Sequence, residues 1–177
     1  MNPGYTLQMN YRKIFEELNR NKYIFKGLLE NIDDEEYLWK PNPDKWCLLE
    51  IICHLRDEEV DDFRTRVQYV LETPELVLPP IDPVNWVKER NYIEQNYKRA
   101  LNDFLRERER SVEWLQALTD PKWDNQYQHP KLGPMSAKLF LSNWLAHDYL
   151  HIRQIVKVKF DYLIFISSED LNYAGEW

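Results

Sequence analysis

The chain reads as an all-α protein, a four-helix bundle, and three observations predict it. Four long segments repeat their apolar residues at helical rather than alternating spacing. Only four glycines occur in 177 residues, which suits long helices better than a turn-dense β-sandwich. Charged residues make up 30% of the chain, as expected for helices that keep a broad face in water. The length allows a single domain with a substantial core and is short for two. Residues 1–177 are therefore expected to form one domain, with its core over about 7–160.

The first helix is expected from about Leu7 to Glu30, where Tyr11, Ile14, Phe15, Leu18, Phe25, Leu28 and Leu29 form a stripe. Between Trp39 and Trp46, Pro41 and Pro43 remove backbone donors and push their neighbours towards extended conformations, so this stretch cannot be helical throughout. The second helix starts near Leu48 and runs to about Leu71, with Ile51, Ile52, Leu55, Phe63, Val67 and Val70 inward. A proline-rich stretch from Thr73 to Pro83 ends it. Asp82 followed by Pro83 makes a helix start, Asp as cap and Pro in the first turn. The third helix is expected to reach about Leu118 through Trp86, Ile93, Tyr97, Ala100, Phe104 and Leu115, stopping at Thr119-Asp120-Pro121. An irregular segment leads to Gly133-Pro134. The fourth helix begins near Ser136, whose hydroxyl can cap it, and extends to about Lys159. A short irregular tail follows, in which Tyr-Leu-Ile-Phe-Ile fits a strand, an extended arm or more helix.

Composition excludes several function classes. With 30 acidic and 23 basic residues the net charge is −7, and a negative field repels phosphate backbones, so no nucleic-acid partner is expected. The Arg106 to Arg110 run is interrupted by Glu107 and Glu109 and reads as a solvated face. No apolar run approaches the ~20 residues that span a bilayer, and no secretory signal is visible, so a cytoplasmic protein without a membrane partner is expected. Cys47 and Cys53 have neither redox-pair nor metal-finger spacing and read as reduced core residues.

Of four histidines, two form His147-Asp-Tyr-Leu-His151. At i and i+4 both imidazoles leave one helix face about a turn apart, close enough to share an ion. At about 100° per residue, Phe140, Trp144, His147, His151, Ile155 and Val158 fall in one stripe, so the pair points into the bundle. Two adjacent buried histidines call for a shared partner, either a metal or a hydrogen-bonded arrangement. His54 lies at the edge of its stripe beside Glu50 and Glu58, and by spacing alone reads as a half-exposed surface residue. His129, in a proline-containing loop, reads the same way.

Two motifs carry a family resemblance. Trp39-Lys-Pro-x-Pro-x-x-Trp46, followed by Glu50-Ile-Ile-Cys-His54-Leu-Arg-Asp-Glu58, resembles the DinB/YfiT-like superfamily of metal-dependent enzymes. His147-Asp-Tyr-Leu-His151-Ile-Arg-Gln154 resembles the C-terminal signature of that superfamily. The resemblance implies a three-histidine centre between the second and fourth helices, with His54, His147 and His151 as ligands. It also implies nickel or zinc as the divalent ion and a homodimer. Three protein ligands leave a coordination position open, the arrangement of a catalytic site. A metal-dependent enzyme acting on a small molecule is expected, by hydrolysis or by transfer to a low-molecular-weight thiol; the thiol branch rests on the resemblance. Asp57 and Glu58 are candidates for proton transfer or for orienting a ligand, against a solvated acidic face as the plainer reading. Gln154, Trp46 and Trp144 are candidates for holding a cofactor or substrate, and Tyr149 for the pocket wall.

Two other readings stand beside this one. His-Asp-x-x-His approaches the metalloprotease His-Glu-x-x-His, but Asp148 is a methylene short and no third ligand follows. A non-catalytic metal-binding or stress-related binding module is the other.

Overall fold

The computed structural model describes residues 10–175. The first helix, α1 (Tyr11–Leu29), starts where the Asn10 side chain accepts from the Lys13 amide, so the expected start at Leu7 lies outside the described residues. Asn31, in the left-handed region at φ 61°, turns the chain after α1. A short helix that periodicity did not foresee, α2 (Asp34–Leu38), is capped by Asp33 and ends before the proline loop.

The second long helix has three parts: α3 (Leu48–Asp57), a π-helical turn over Glu58–Arg64, and α4 (Thr65–Glu72). A π turn inserts a residue into the helical repeat and rotates the two flanks against each other. His54 and Leu55 before it and Val67 and Val70 after it are thereby all buried.

The expected third helix is broken in two. Asp82 and Pro83 do open a helix, α5 (Pro83–Glu89), with Asp82 accepting from the Asn85 amide at 3.3 Å. Asn91 at φ 48° then interrupts it before α6 (Tyr97–Ala117). The break turns Tyr92 fully inward and leaves Ile93 40% exposed, opposite to its expected inward position. The segment expected to be irregular forms a hairpin, β1 (Gln126–His129) against β2 (Gly133–Ser136), in antiparallel register with Tyr127 opposite Met135. The last helix, α7 (Ala137–Ser167), begins at the Ser136 cap, whose Oγ accepts from the Leu139 amide at 3.2 Å. It runs past the expected Lys159 because its extra turns have partners: Tyr162 and Phe165 pack on Trp39, and Lys159 pairs with Glu36.

α1 packs on α6 and α7, α3 on α6, and α4 on α7, which closes a ring of four long helices. The core has two apolar halves. Phe25, Leu29, Ile51, Leu55, Phe104 and Ile155 belong to one; Leu18, Val67, Val70, Leu115, Leu141 and Trp144 belong to the other. Between these positions a hydrogen-bonded layer of buried polar side chains draws a member from each long helix: Asn21, Glu59, Arg108 and Asp148.

Candidate metal centre

α3 and α7 bring the three histidines together. One ligand nitrogen from each of His54, His147 and His151 lies within 4.8 Å of the others. The Nε2 atoms of His147 and His151 are 2.9 Å apart, and the His54 ring centroid is 5.5 and 4.9 Å from theirs. His54, read from spacing as half-exposed, is 5% exposed. The π turn and the Trp46 ring, 4.8 Å from the His54 ring, enclose it.

Electrostatics favours uncharged rings at two of these positions. Burial lowers the His54 pKa to about 4, with His147 adding to the shift and Glu58 and Asp57 opposing it. Burial, then the charges of His147 and His151's other neighbour His54, push His151 down to about 2, opposed by Gln154. Neutral imidazoles are the form that ligates a metal. The Nδ1 atoms of His54 and His151 are buried without a hydrogen-bond partner among the described residues. The Nε2 atoms of His147 and His151 face each other, and Glu58 reaches both His147 Nε2 and His54 Nε2, so the converging nitrogens gain a common partner from one ion at about 2.0–2.1 Å from each. The residues present therefore fit a divalent metal, and an all-imidazole set suits zinc, nickel and neighbouring ions alike.

Glu58 opens the π turn and reaches the same point. Its Oε2 lies 2.8 Å from His147 Nε2 and its Oε1 lies 3.6 Å from His54 Nε2, with the residue 6% exposed. Asp57 is placed elsewhere. It accepts from Arg56 Nε at 2.7 Å, Arg90 at 2.7 Å and the Tyr92 hydroxyl at 2.8 Å, tying α3 to the α5–α6 connection. Those partners hold its carboxyl below the usual range against the opposing effect of burial.

Trp46 and Gln154 line a cavity of about 860 Å³ that includes His151. Trp144 lines no such cavity: it is 1% exposed, stacked on Phe63, and its indole N–H donates to Glu59 Oε2 at 2.9 Å. Tyr149 is 49% exposed and lines neither histidine cavity. His129, read as a surface residue, lines a second cavity of about 420 Å³ with His147. Its Nδ1 accepts from the Lys131 and Leu132 amides in the hairpin turn.

The polar residues in the core were missed by the sequence reading. Arg108 donates to both Glu59 oxygens at 2.9 and 2.8 Å, to both Asp148 oxygens at 2.7 and 2.6 Å, and to the Leu18 carbonyl. Asn21 donates to Asp148 at 2.9 Å. This engagement removes Asp148 from any role as a protease-like base. A signal was present: Arg108 lies four residues from both Phe104 and Val112, and Asn21 lies between Leu18 and Phe25, so both occupy apolar-stripe positions.

A four-helix bundle with three histidines converging from its second and last long helices marks a helical protein with a candidate metal centre. The chain belongs to the DinB superfamily, whose family model matches residues 17–155. Its structure is similar to that of YfiT from Bacillus subtilis, described as a probable metal-dependent hydrolase with an unusual four-helix bundle topology. The TM-score is 0.75 at 18% identity, over 89% of this chain and 91% of that one. At that identity the likeness establishes the fold. Among curated proteins none matches.

Proposed function

We propose that the chain is a metal-dependent enzyme acting on a small molecule, with His54, His147 and His151 as ligands. The observation that carries this reading is the convergence of three histidine nitrogens within 4.8 Å inside the fold. The family and the description of YfiT support it. A divalent ion held there supplies Lewis acidity, which activates water for hydrolysis or a low-molecular-weight thiol for transfer. The side chains do the rest. Glu58, with Oε2 at 2.8 Å from His147 Nε2, takes up or returns a proton beside the reacting group. Trp46 excludes water from the His54 side, and Gln154 presents an amide to a bound molecule from the neighbouring wall. Asp57 and Trp144 act at a distance, by fixing α3 and the polar layer.

Zinc and nickel are the ions to test. Protein purified without a chelating tag and reconstituted with either should carry about one ion per chain, and His151→Ala should abolish it. Glu58→Gln should keep the ion and lose at least about 100-fold of any turnover found on a panel of small esters, amides and thiol acceptors. Trace metal in reconstituted wild type would overturn the reading. Metal-stripped protein should retain most of its helicity by circular dichroism; unfolding on stripping would favour the binding-module reading, with a structural ion.

The reading extends to a homodimer in the cytoplasm. Leu163, Phe165 and Ile166 on the last turns of α7 are 47%, 62% and 57% exposed, an apolar patch that fits a second copy. Sedimentation at micromolar concentration should give a dimer, and Phe165→Glu a monomer; a wild-type monomer would remove this part. Among the described residues no helix is long and apolar enough to cross a membrane.

A further inference from the structure

We propose that the centre takes an amphipathic anion, with an oxygen-anion head held by Lys45 and Arg153 and an apolar body lying over the histidines. The proposal rests on the enzymatic reading of the three histidines and deepens it by naming a substrate class.

Two cavities open along one side of α7. The first, about 420 Å³, contains His147 and is walled by Phe63, Ile81, Met135 and Phe140. The second, about 860 Å³, contains His151 together with Trp46, Lys45, Arg153 and Gln154. Leu150, 55% exposed, lines both. The two imidazoles whose Nε2 atoms approach to 2.9 Å thus belong one to each cavity, and a molecule passing over Leu150 lies against both.

The cavities differ in charge. In the first, Arg66 is tied to Asp62 and to the Pro79 carbonyl, so its charges cancel and the surface is otherwise apolar apart from His129, Asn143 and His147. In the second, Lys157 pairs with Asp161, while Lys45 and Arg153 have no acidic partner among the described residues. Two uncompensated cations at one cavity contrast with a chain of net charge −7 and concentrate anions locally. The Arg153 guanidinium offers the planar fork that carboxylate and phosphate oxygens match, and Gln154 adds an amide donor. Ala146 in the first cavity and Arg153 in the second are seven residues apart on α7, about 10 Å along its axis, which suits a medium-length alkyl chain.

Calorimetric titration of octanoate, octyl phosphate and octylammonium, into zinc-loaded and metal-free protein, tests this. At least one of the two anions should bind wild type while octylammonium does not. K45E/R153E, two exposed positions, should weaken that anion about tenfold or more. A146W, which fills the apolar cavity from an exposed helix position, should weaken it comparably. Binding of neither anion, equal binding of octylammonium, or unchanged affinity in K45E/R153E would overturn the proposal. Zinc content measured on the same samples keeps the two readings apart. Wild type that holds no zinc defeats the metal centre, whereas anion affinity in the metal-free protein still reports on Lys45 and Arg153.

Discussion

His54 and His151 show how burial prepares a side chain for its role. Their folded pKa values, about 4 and about 2, lie below the ordinary 6.5 because the charged ring has lost its water. The unfolded chain therefore binds more protons than the folded one below about pH 6.5, so stability rises with pH in that window. Metal-free protein should be most stable above pH 6.5 and lose stability as the pH falls, with the His54 contribution complete near pH 4 at about 3 kcal/mol. Urea denaturation at a series of pH values checks this, and His54→Gln should flatten the slope; a wild-type profile flat from pH 7 to 5 contradicts it. Spacing alone made the inward pointing of His147 and His151 legible, because both lie on one stripe. It misplaced His54, because an α-helical wheel contains no π turn.

Helix ends were the most legible elements. Asn10, Asp33, Asp82, Asn96 and Ser136 all accept a hydrogen bond from the first turn of the helix they precede, and the roles of Asp82 and Ser136 were visible in the sequence. Ser136→Ala should cost about 1 kcal/mol in urea unfolding, since α7 loses a cap and carries two of the three histidines. A change within error would mean that Oγ does not cap in solution. Interruptions were illegible for the opposite reason, because they are stabilised from outside the element. The α5–α6 break at Asn91 accompanies Arg90 and the Tyr92 hydroxyl bonding Asp57 of another helix. The extension of α7 depends on Trp39, more than a hundred residues earlier.

Across the whole molecule, the polar layer of Asn21, Glu59, Arg108 and Asp148 joins all four long helices behind the histidines. Glu59 and Asp148 are the chain neighbours of Glu58 and His147, so Arg108, by gripping both, sets the spacing between the π turn and α7. Breaking a buried pair leaves uncompensated charge, and Arg108→Met should destabilise by about 3–5 kcal/mol. Adding Glu59→Leu and Asp148→Leu should recover part of that loss, because the stranded carboxylates are gone. A single variant as stable as wild type would show that the layer is solvated and not a clamp.

Within the chain itself lie the helical class, the caps at Asp82 and Ser136, the reduced cysteines, and the inward direction of His147 and His151, all of which follow from spacing and local hydrogen bonding over a few residues. The motif resemblance already named His54 beside them where spacing did not; only tertiary structure decided how His54 is enclosed, that Glu58 and not Asp57 stands beside the histidines, and that Arg108 is buried. Each of those outcomes depends on which distant side chains supply a charge or a hydrogen bond once water is excluded.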